Sequence, residues 1–101
     1  MMDQRATLIR MLRKLNDEMN VVMSQGAGYY TCAPFAKRFN KLLEQARTLF
    51  VGDAGIISTF EPLPPADPKD PGEKSKVLLE IRIEINQLVT LLESTGGDSG
   101  P

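Results

Sequence analysis

Three segments of this chain repeat apolar residues at steps that alternate between three and four positions. That spacing places the apolar side chains on one face of an α-helix, whereas a β-strand would need a step of two. The three apolar seams are Leu8, Leu12, Leu15, Met19 and Val22; Phe35, Phe39, Leu42, Ala46 and Leu49; and Leu78, Ile81, Ile85, Leu88 and Leu92. The sequence therefore predicts an all-α protein with three helices.

Capping signals set the bounds of these helices. We expect helices at about residues 4–24, 34–50 and 71–94. The third has the clearest start, because Asp70, Pro71 and Glu73 stand as N-cap, first-turn proline and capping-box acid. It is expected to end before the glycine pair that begins at Gly96, since glycine commonly follows the end of a helix.

The connections predict a hairpin followed by a crossover. The loop over residues 25–33 is short, so the first two helices should pack antiparallel. Either Thr31 caps the second helix with Pro34 in its first turn, or Pro34 itself begins that helix. The Pro-rich connector, residues 52–70, favours extended backbone but also carries apolar residues that should pack: Ile56, Ile57, Phe60 and Leu63. We expect one helical domain over residues 1–96 and a flexible tail at 97–101.

The absence of histidine restricts the chemistry that this chain can perform. With no histidine and one cysteine, Cys32, it cannot form Ser-His or Cys-His pairs or histidine-bearing metal sites. The acidic residues Asp67, Asp70 and Glu73 are more simply turn and cap residues than ligands of a hard cation. We therefore predict a protein that is not an enzyme and that uses no metal or cofactor.

The lone cysteine and the short apolar runs bear on the compartment. A single cysteine cannot form an intrachain disulfide, which agrees with a reducing environment. The longest apolar runs cover only a few residues, far fewer than a membrane-spanning helix needs. We expect a cytoplasmic protein that does not cross a membrane.

The third helix carries a second apolar face. At 100° per residue, Leu79 and Ile83 fall together on the side opposite its main seam, with Thr90 in the same row. Either the connector covers these residues, or they are isolated surface residues, or they bind a partner. We predict a partner-binding surface and a homo-oligomer, with a dimer favoured, because two small cores would then combine into one helical bundle.

The loop that leads to the second helix is a candidate ligand site. Gly28 permits close backbone approach, and Tyr29, Tyr30 and Cys32 stand before a helix N-terminus, where anions bind. The segment lacks the preceding strand and the lysine of a phosphate-binding loop. A helix cap and a turn covered by the two tyrosines are the simpler interpretation.

Charge divides the chain into a basic and an acidic half. Residues 1–50 carry eight basic and four acidic side chains, whereas residues 51–101 carry four basic and nine acidic ones. The candidate phosphate-binding residues on the hairpin are Arg10, Arg13, Lys14, Lys37, Arg38 and Lys41. Simple solvation, or attraction to the acidic half of a neighbouring subunit, explains the same pattern.

Together these features predict a non-catalytic assembly or adaptor module that self-associates and binds protein. The alternative is a nucleic-acid-associated regulator that uses the basic hairpin. No recognition-helix motif or aromatic platform supports nucleic-acid binding, so we expect it less than protein binding.

Overall fold

Three α-helices and one short 3-10 helix are the regular elements in the part of the chain that the structure describes. The structure is a computed structural model, and it describes residues 4–25, 32–50, 55–65 and 67–97. In chain order the elements are α1 (Gln4–Ser24), α2 (Ala33–Thr48), the 3-10 helix (Ile57–Thr59) and α3 (Pro71–Gly97). These ranges contain no β-strand, so the prediction of an all-α fold is confirmed.

The core forms where the apolar seams of the three helices meet. Each helix packs against the other two. The buried helical side chains are Leu8, Leu12, Leu15 and Met19 of α1; Ala36, Phe39, Leu42, Leu43 and Ala46 of α2; and Leu78, Ile81, Ile85, Leu88, Val89 and Leu92 of α3. Val22, Phe35 and Leu49, the remaining seam residues, are only partly buried. No charged side chain is buried within the described ranges, so apolar packing stabilises this core.

The second helix begins and ends earlier than the sequence predicts. It begins at Ala33, with Cys32 in the N-cap position and Pro34 in the first turn, whereas Thr31 lies outside the described residues. Proline is tolerated there because the first-turn N–H groups have no partner within the helix. After Thr48 the backbone tightens into a turn, in which the Leu49 N–H donates to the Ala46 carbonyl at 3.0 Å.

The third helix continues past its predicted end. Helix α3 extends through Gly97, so the expectation that it stops before Gly96 is wrong. Glycine costs only about 1 kcal/mol relative to alanine inside a helix, and adding residues to an existing helix is far easier than starting a new one. The rest of the predicted tail, residues 98–101, lies outside the described residues.

The connector is hydrogen-bonded along α2. The Asn40 side chain donates from Nδ2 to the Leu63 carbonyl at 2.8 Å and accepts at Oδ1 from the Leu63 N–H at 2.7 Å. Nearer the end of α2, Arg47 Nη2 donates to the Phe60 carbonyl at 2.8 Å. The step from Phe60 to Leu63 in extended backbone and the step from Arg47 to Asn40 in a helix each cover about 10 Å. The connector therefore runs back along α2, in the opposite direction.

The end of the connector brings the starts of α2 and α3 together. The Cys32 N–H at the start of α2 donates to Asp67 Oδ1 at 2.9 Å. The Cys32 thiol also contacts the Lys74 carbonyl in the first turns of α3, with 3.6 Å between sulfur and oxygen. Earlier in the connector, Ile57 and Phe60 are buried in the core, as expected from their apolar character. This segment is therefore part of the packed structure.

Asp70 caps α3, because its Oδ2 accepts the Glu73 N–H at 3.1 Å. We expect Asp70→Ala to lower the free energy of unfolding by about 1 kcal/mol, since this N–H would lose its partner and the helix dipole its nearby charge. A urea titration followed by circular dichroism measures the loss. Glu61→Ala is the control, because it removes an exposed connector carboxylate with little expected effect. Equal midpoints for both variants would contradict a capping role.

Candidate interaction surfaces

The outer strip of α3, which we define as Leu79, Ile83 and Thr90, is exposed. Leu79 is 51% exposed and Ile83 is 48% exposed, one helical turn apart. Thr90 is also exposed, and its hydroxyl donates to the Asn86 carbonyl at 2.9 Å, so this hydroxyl is satisfied within the helix. The alternative that the connector covers Leu79 and Ile83 is therefore wrong. The pair remains available to a partner.

Charged residues flank the outer strip unequally. By helical projection, Glu80 and Glu84 lie along one edge, where Glu80 is exposed and Glu84 is partly buried. Glu73 and Lys76 lie on the same edge and form an ion pair at 3.6 Å. Arg82 lies on the opposite edge. With Glu73 and Lys76 paired, the outer strip has a net acidic border on one side, formed by Glu80 and Glu84.

A groove runs between α1 and α2, and we call it the hairpin groove. It has two adjoining sections of about 850 and 500 Å³, which share Met11 and Leu42 in their linings. Leu15, Pro34 and Phe35 are the other apolar residues of the larger section. Leu15 and Leu42 are buried, whereas Met11 is 42% exposed and Phe35 is partly buried, so Met11 and Phe35 provide the apolar surface that is open to solvent.

Four cations line the hairpin groove. Arg10 and Lys14 lie on α1, one turn apart, and Arg38 and Lys41 lie on α2. All four are exposed. These four predicted phosphate-binding residues therefore come together around one groove, across two helices.

Acidic residues also reach the groove, one in each section. Glu18 lines the larger section and Glu44 the smaller one. The cations outnumber these carboxylates, so the groove has a net positive lining. It combines an apolar floor with basic walls.

The other two predicted cations lie elsewhere. Arg13 forms an ion pair with Glu93 and so links α1 to α3 at the surface. Lys37 is exposed on α2 and does not line the hairpin groove. An exposed ion pair such as Arg13–Glu93 contributes little stability, typically under 1 kcal/mol.

The candidate ligand loop is represented by Cys32 alone, because Gly28, Tyr29 and Tyr30 lie outside the described residues. Burial raises the pKa of the Cys32 thiol, and the Asp67 carboxylate raises it further, whereas Lys74 opposes this shift. A raised pKa keeps the thiol protonated, and a protonated thiol is a poor nucleophile. The contacts of Cys32 with Asp67 and Lys74 are those of a residue that joins the starts of α2 and α3.

The acidic residues of the connector serve as backbone acceptors. Asp67 and Asp70 each accept a backbone N–H, one at the start of α2 and one at the start of α3. Within the described ranges, no cluster of three histidine, cysteine, aspartate or glutamate residues is arranged to hold a metal ion. None of the described helices combines the length and apolarity needed to cross a membrane.

The hairpin groove is the feature that the sequence did not predict. Leu15, Phe35 and Leu42 belong to apolar seams and Met11 lies beside one, so their spacing predicts core positions. Leu15 and Leu42 are buried as predicted, whereas Phe35 is only partly buried and Met11 is 42% exposed. A usable signal was the pair of cations on each helix next to the seam, Arg10 with Lys14 and Arg38 with Lys41.

The chain matches no protein-family model, no curated protein and no solved structure.

Proposed function

We propose that this protein is a non-catalytic helical assembly module that binds copies of itself and serves as an adaptor for other proteins. The exposure of Leu79 and Ile83 on α3 carries the proposal. Two large aliphatic side chains one turn apart form the kind of anchor by which a helix binds a groove or another helix. The lack of histidine in the sequence supports a binding role over a catalytic one.

The small size of the chain gives self-association a physical reason. A domain of about 100 residues buries a smaller fraction of its surface than larger domains do, and contact with a second copy adds buried apolar area. A stable interface takes roughly 800 Å² from each partner, far more than two half-exposed side chains supply. The contact must therefore extend along α3 and onto a complementary surface of the other copy. A dimer is the smallest assembly that meets this need.

The mass in solution tests the proposal. Light scattering behind a sizing column should give at least twice the chain mass of 11.2 kDa at micromolar concentration. The mass should fall towards that of one chain on dilution, as reversible association requires. A mass of one chain across the whole concentration range would reject self-association.

The hairpin groove favours a second candidate function, binding of nucleic acid. Its four cations could contact phosphates, whereas its apolar floor and its two carboxylates are better suited to protein. Retention of DNA or RNA at physiological ionic strength, weakening steeply with added salt, would favour this function. The lone cysteine and the reducing environment it suits lead us to place either activity in the cytoplasm.

A further inference from the structure

We propose that the outer strip of one copy docks in the hairpin groove of a second copy, with the acidic edge of the strip against the basic walls of the groove. The inference rests on the proposed self-association and names the two surfaces that perform it. The groove of one copy is then occupied by helix α3 of another copy.

The two surfaces have complementary shapes. Leu79 and Ile83 of the outer strip protrude from α3. The hairpin groove, whose apolar floor includes Met11 and Phe35, is a depression between α1 and α2. An amphipathic helix binds such a groove through residues spaced by three or four positions, and Leu79 and Ile83 are four apart. The neighbour's α3 would complete a helical layer on the free side of the hairpin.

The charges of the two surfaces are also complementary. Glu80 and Glu84 border the outer strip. Arg10, Lys14 and Arg38 line the larger section of the hairpin groove. Opposite charges at the border of an interface favour encounter and fix the register of the partners. Because these groups are at or near the surface, added salt should weaken the association.

A contact between two outer strips satisfies these charges less well. In an antiparallel two-fold pair the same edges of the two helices meet, so Glu80 and Glu84 would meet an edge whose cation, Lys76, is already paired with Glu73. A parallel pair would add Arg82 from the opposite edge, whereas the groove offers four cations. Like charges across an interface are unfavourable. The groove is therefore the better acceptor.

The outer strip and the hairpin groove lie on opposite sides of the bundle. Leu78, Ile81 and Ile85 of α3 are buried against the hairpin, whereas Leu79 and Ile83 are on the far side of that helix. The residues that line the groove all belong to α1 and α2, and the core fills the inner side of the hairpin, so the groove opens away from α3. When the outer strip of one copy binds the hairpin groove of a second, the groove of the first copy and the outer strip of the second therefore stay free. Such a contact is heterologous, so under this inference the copies build a ring or a chain in place of the dimer that the sequence favours.

Two complementary variants test this arrangement. Leu79→Asp/Ile83→Asp removes the apolar residues of the outer strip and leaves the hairpin groove intact. Lys14→Glu/Arg38→Glu reverses two charges of the groove and leaves the outer strip intact. Each variant alone should lose association at concentrations where the unaltered chain is assembled. An equimolar mixture of the two variants should form one-to-one pairs with twice the mass of 11.2 kDa. In each pair the intact outer strip of the groove variant binds the intact groove of the strip variant. Sedimentation velocity measures all three samples.

Controls separate the surfaces from folding and from charge. Lys37→Glu/Lys69→Glu makes the same charge change at exposed positions outside the groove lining, and its mass should match that of the unaltered chain. Helical circular dichroism should be equal for all variants. If an aspartate or glutamate variant loses helicity, Leu79→Ala/Ile83→Ala and Lys14→Gln/Arg38→Gln replace them in the same mixing experiment.

Several outcomes overturn the arrangement. A groove variant that assembles like the unaltered chain would leave self-association intact but exclude the groove, which would then be free for an acidic helix of another protein or for nucleic acid. If both variants are monomeric and fail to pair when mixed, docking of the outer strip in the hairpin groove is also excluded. If the unaltered chain is itself monomeric, self-association fails and the docking inference fails with it.

Discussion

Replacement of both Leu79 and Ile83 with aspartate is expected to separate the assembly into folded monomers. Each side chain is about half exposed, so burial in an interface would contribute about 1 kcal/mol apiece from apolar area. An unpaired carboxylate placed in that interface costs several kcal/mol more. A total loss of at least about 4 kcal/mol corresponds to an association constant roughly 1,000-fold lower.

The control for this double substitution is Val21→Asp/Gln25→Asp. Val21 is 58% exposed on α1 and Gln25 is exposed just after it, so the control introduces two charges four positions apart at exposed sites outside α3 and outside the lining of the hairpin groove. Mass and helical circular dichroism are measured together over a dilution series. An unchanged mass for the Leu79 and Ile83 variant would reject the interface. Loss of helicity at every concentration would contradict their exposed positions.

The helices could be predicted from the sequence because each apolar seam has one consistent period. Leu8, Leu12, Leu15 and Met19 keep to three- and four-residue steps, and all four are buried in the structure. A helix presents such positions on one face whatever it packs against, so this prediction needs no knowledge of the tertiary structure. The end of α3 at Gly97 was less predictable, since a few residues at a helix terminus change the free energy very little.

The path of the connector could be predicted only in part. The apolar character of Ile57 and Phe60 indicated that the segment packs, and both residues are buried. The paired hydrogen bonds between Asn40 and Leu63 had no signal in the sequence, because they join residues 23 positions apart. A polar residue on a helix reads the same whether it faces solvent or a neighbouring segment of the chain.

The hairpin groove could not be predicted because it depends on where α3 packs. The seams of α1 and α2 are wide enough to meet both each other and a third helix, and periodicity alone does not show which apolar residues remain uncovered. Met11 and Leu12 are neighbours in sequence, yet Met11 is 42% exposed and Leu12 is fully buried. The outer strip was easier to predict, since Leu79 and Ile83 lie opposite the main seam of their own helix.

Substitution of Phe39 with alanine is expected to be among the most destabilising single changes in this chain. Phe39 lies in the middle of α2 and is fully buried. Truncation of a buried phenylalanine to alanine costs about 3 to 5 kcal/mol, from the lost apolar transfer and from the cavity left behind. A small domain has only about 5 to 15 kcal/mol of stability in total. The substitution should therefore lower the urea midpoint severely or prevent folding.

Phe35→Ala is the matched control, because it makes the same change one turn earlier on the same helix. Phe35 is only partly buried and lines the hairpin groove, so its loss removes fewer core contacts and leaves less of a cavity. Both variants are compared by urea unfolding in the Leu79→Asp/Ile83→Asp background, where association no longer adds to stability. A Phe39→Ala loss no larger than that of Phe35→Ala would contradict the burial of Phe39. In the otherwise unaltered chain Phe35→Ala should weaken association while the monomer stays folded, because it removes part of the floor of the hairpin groove.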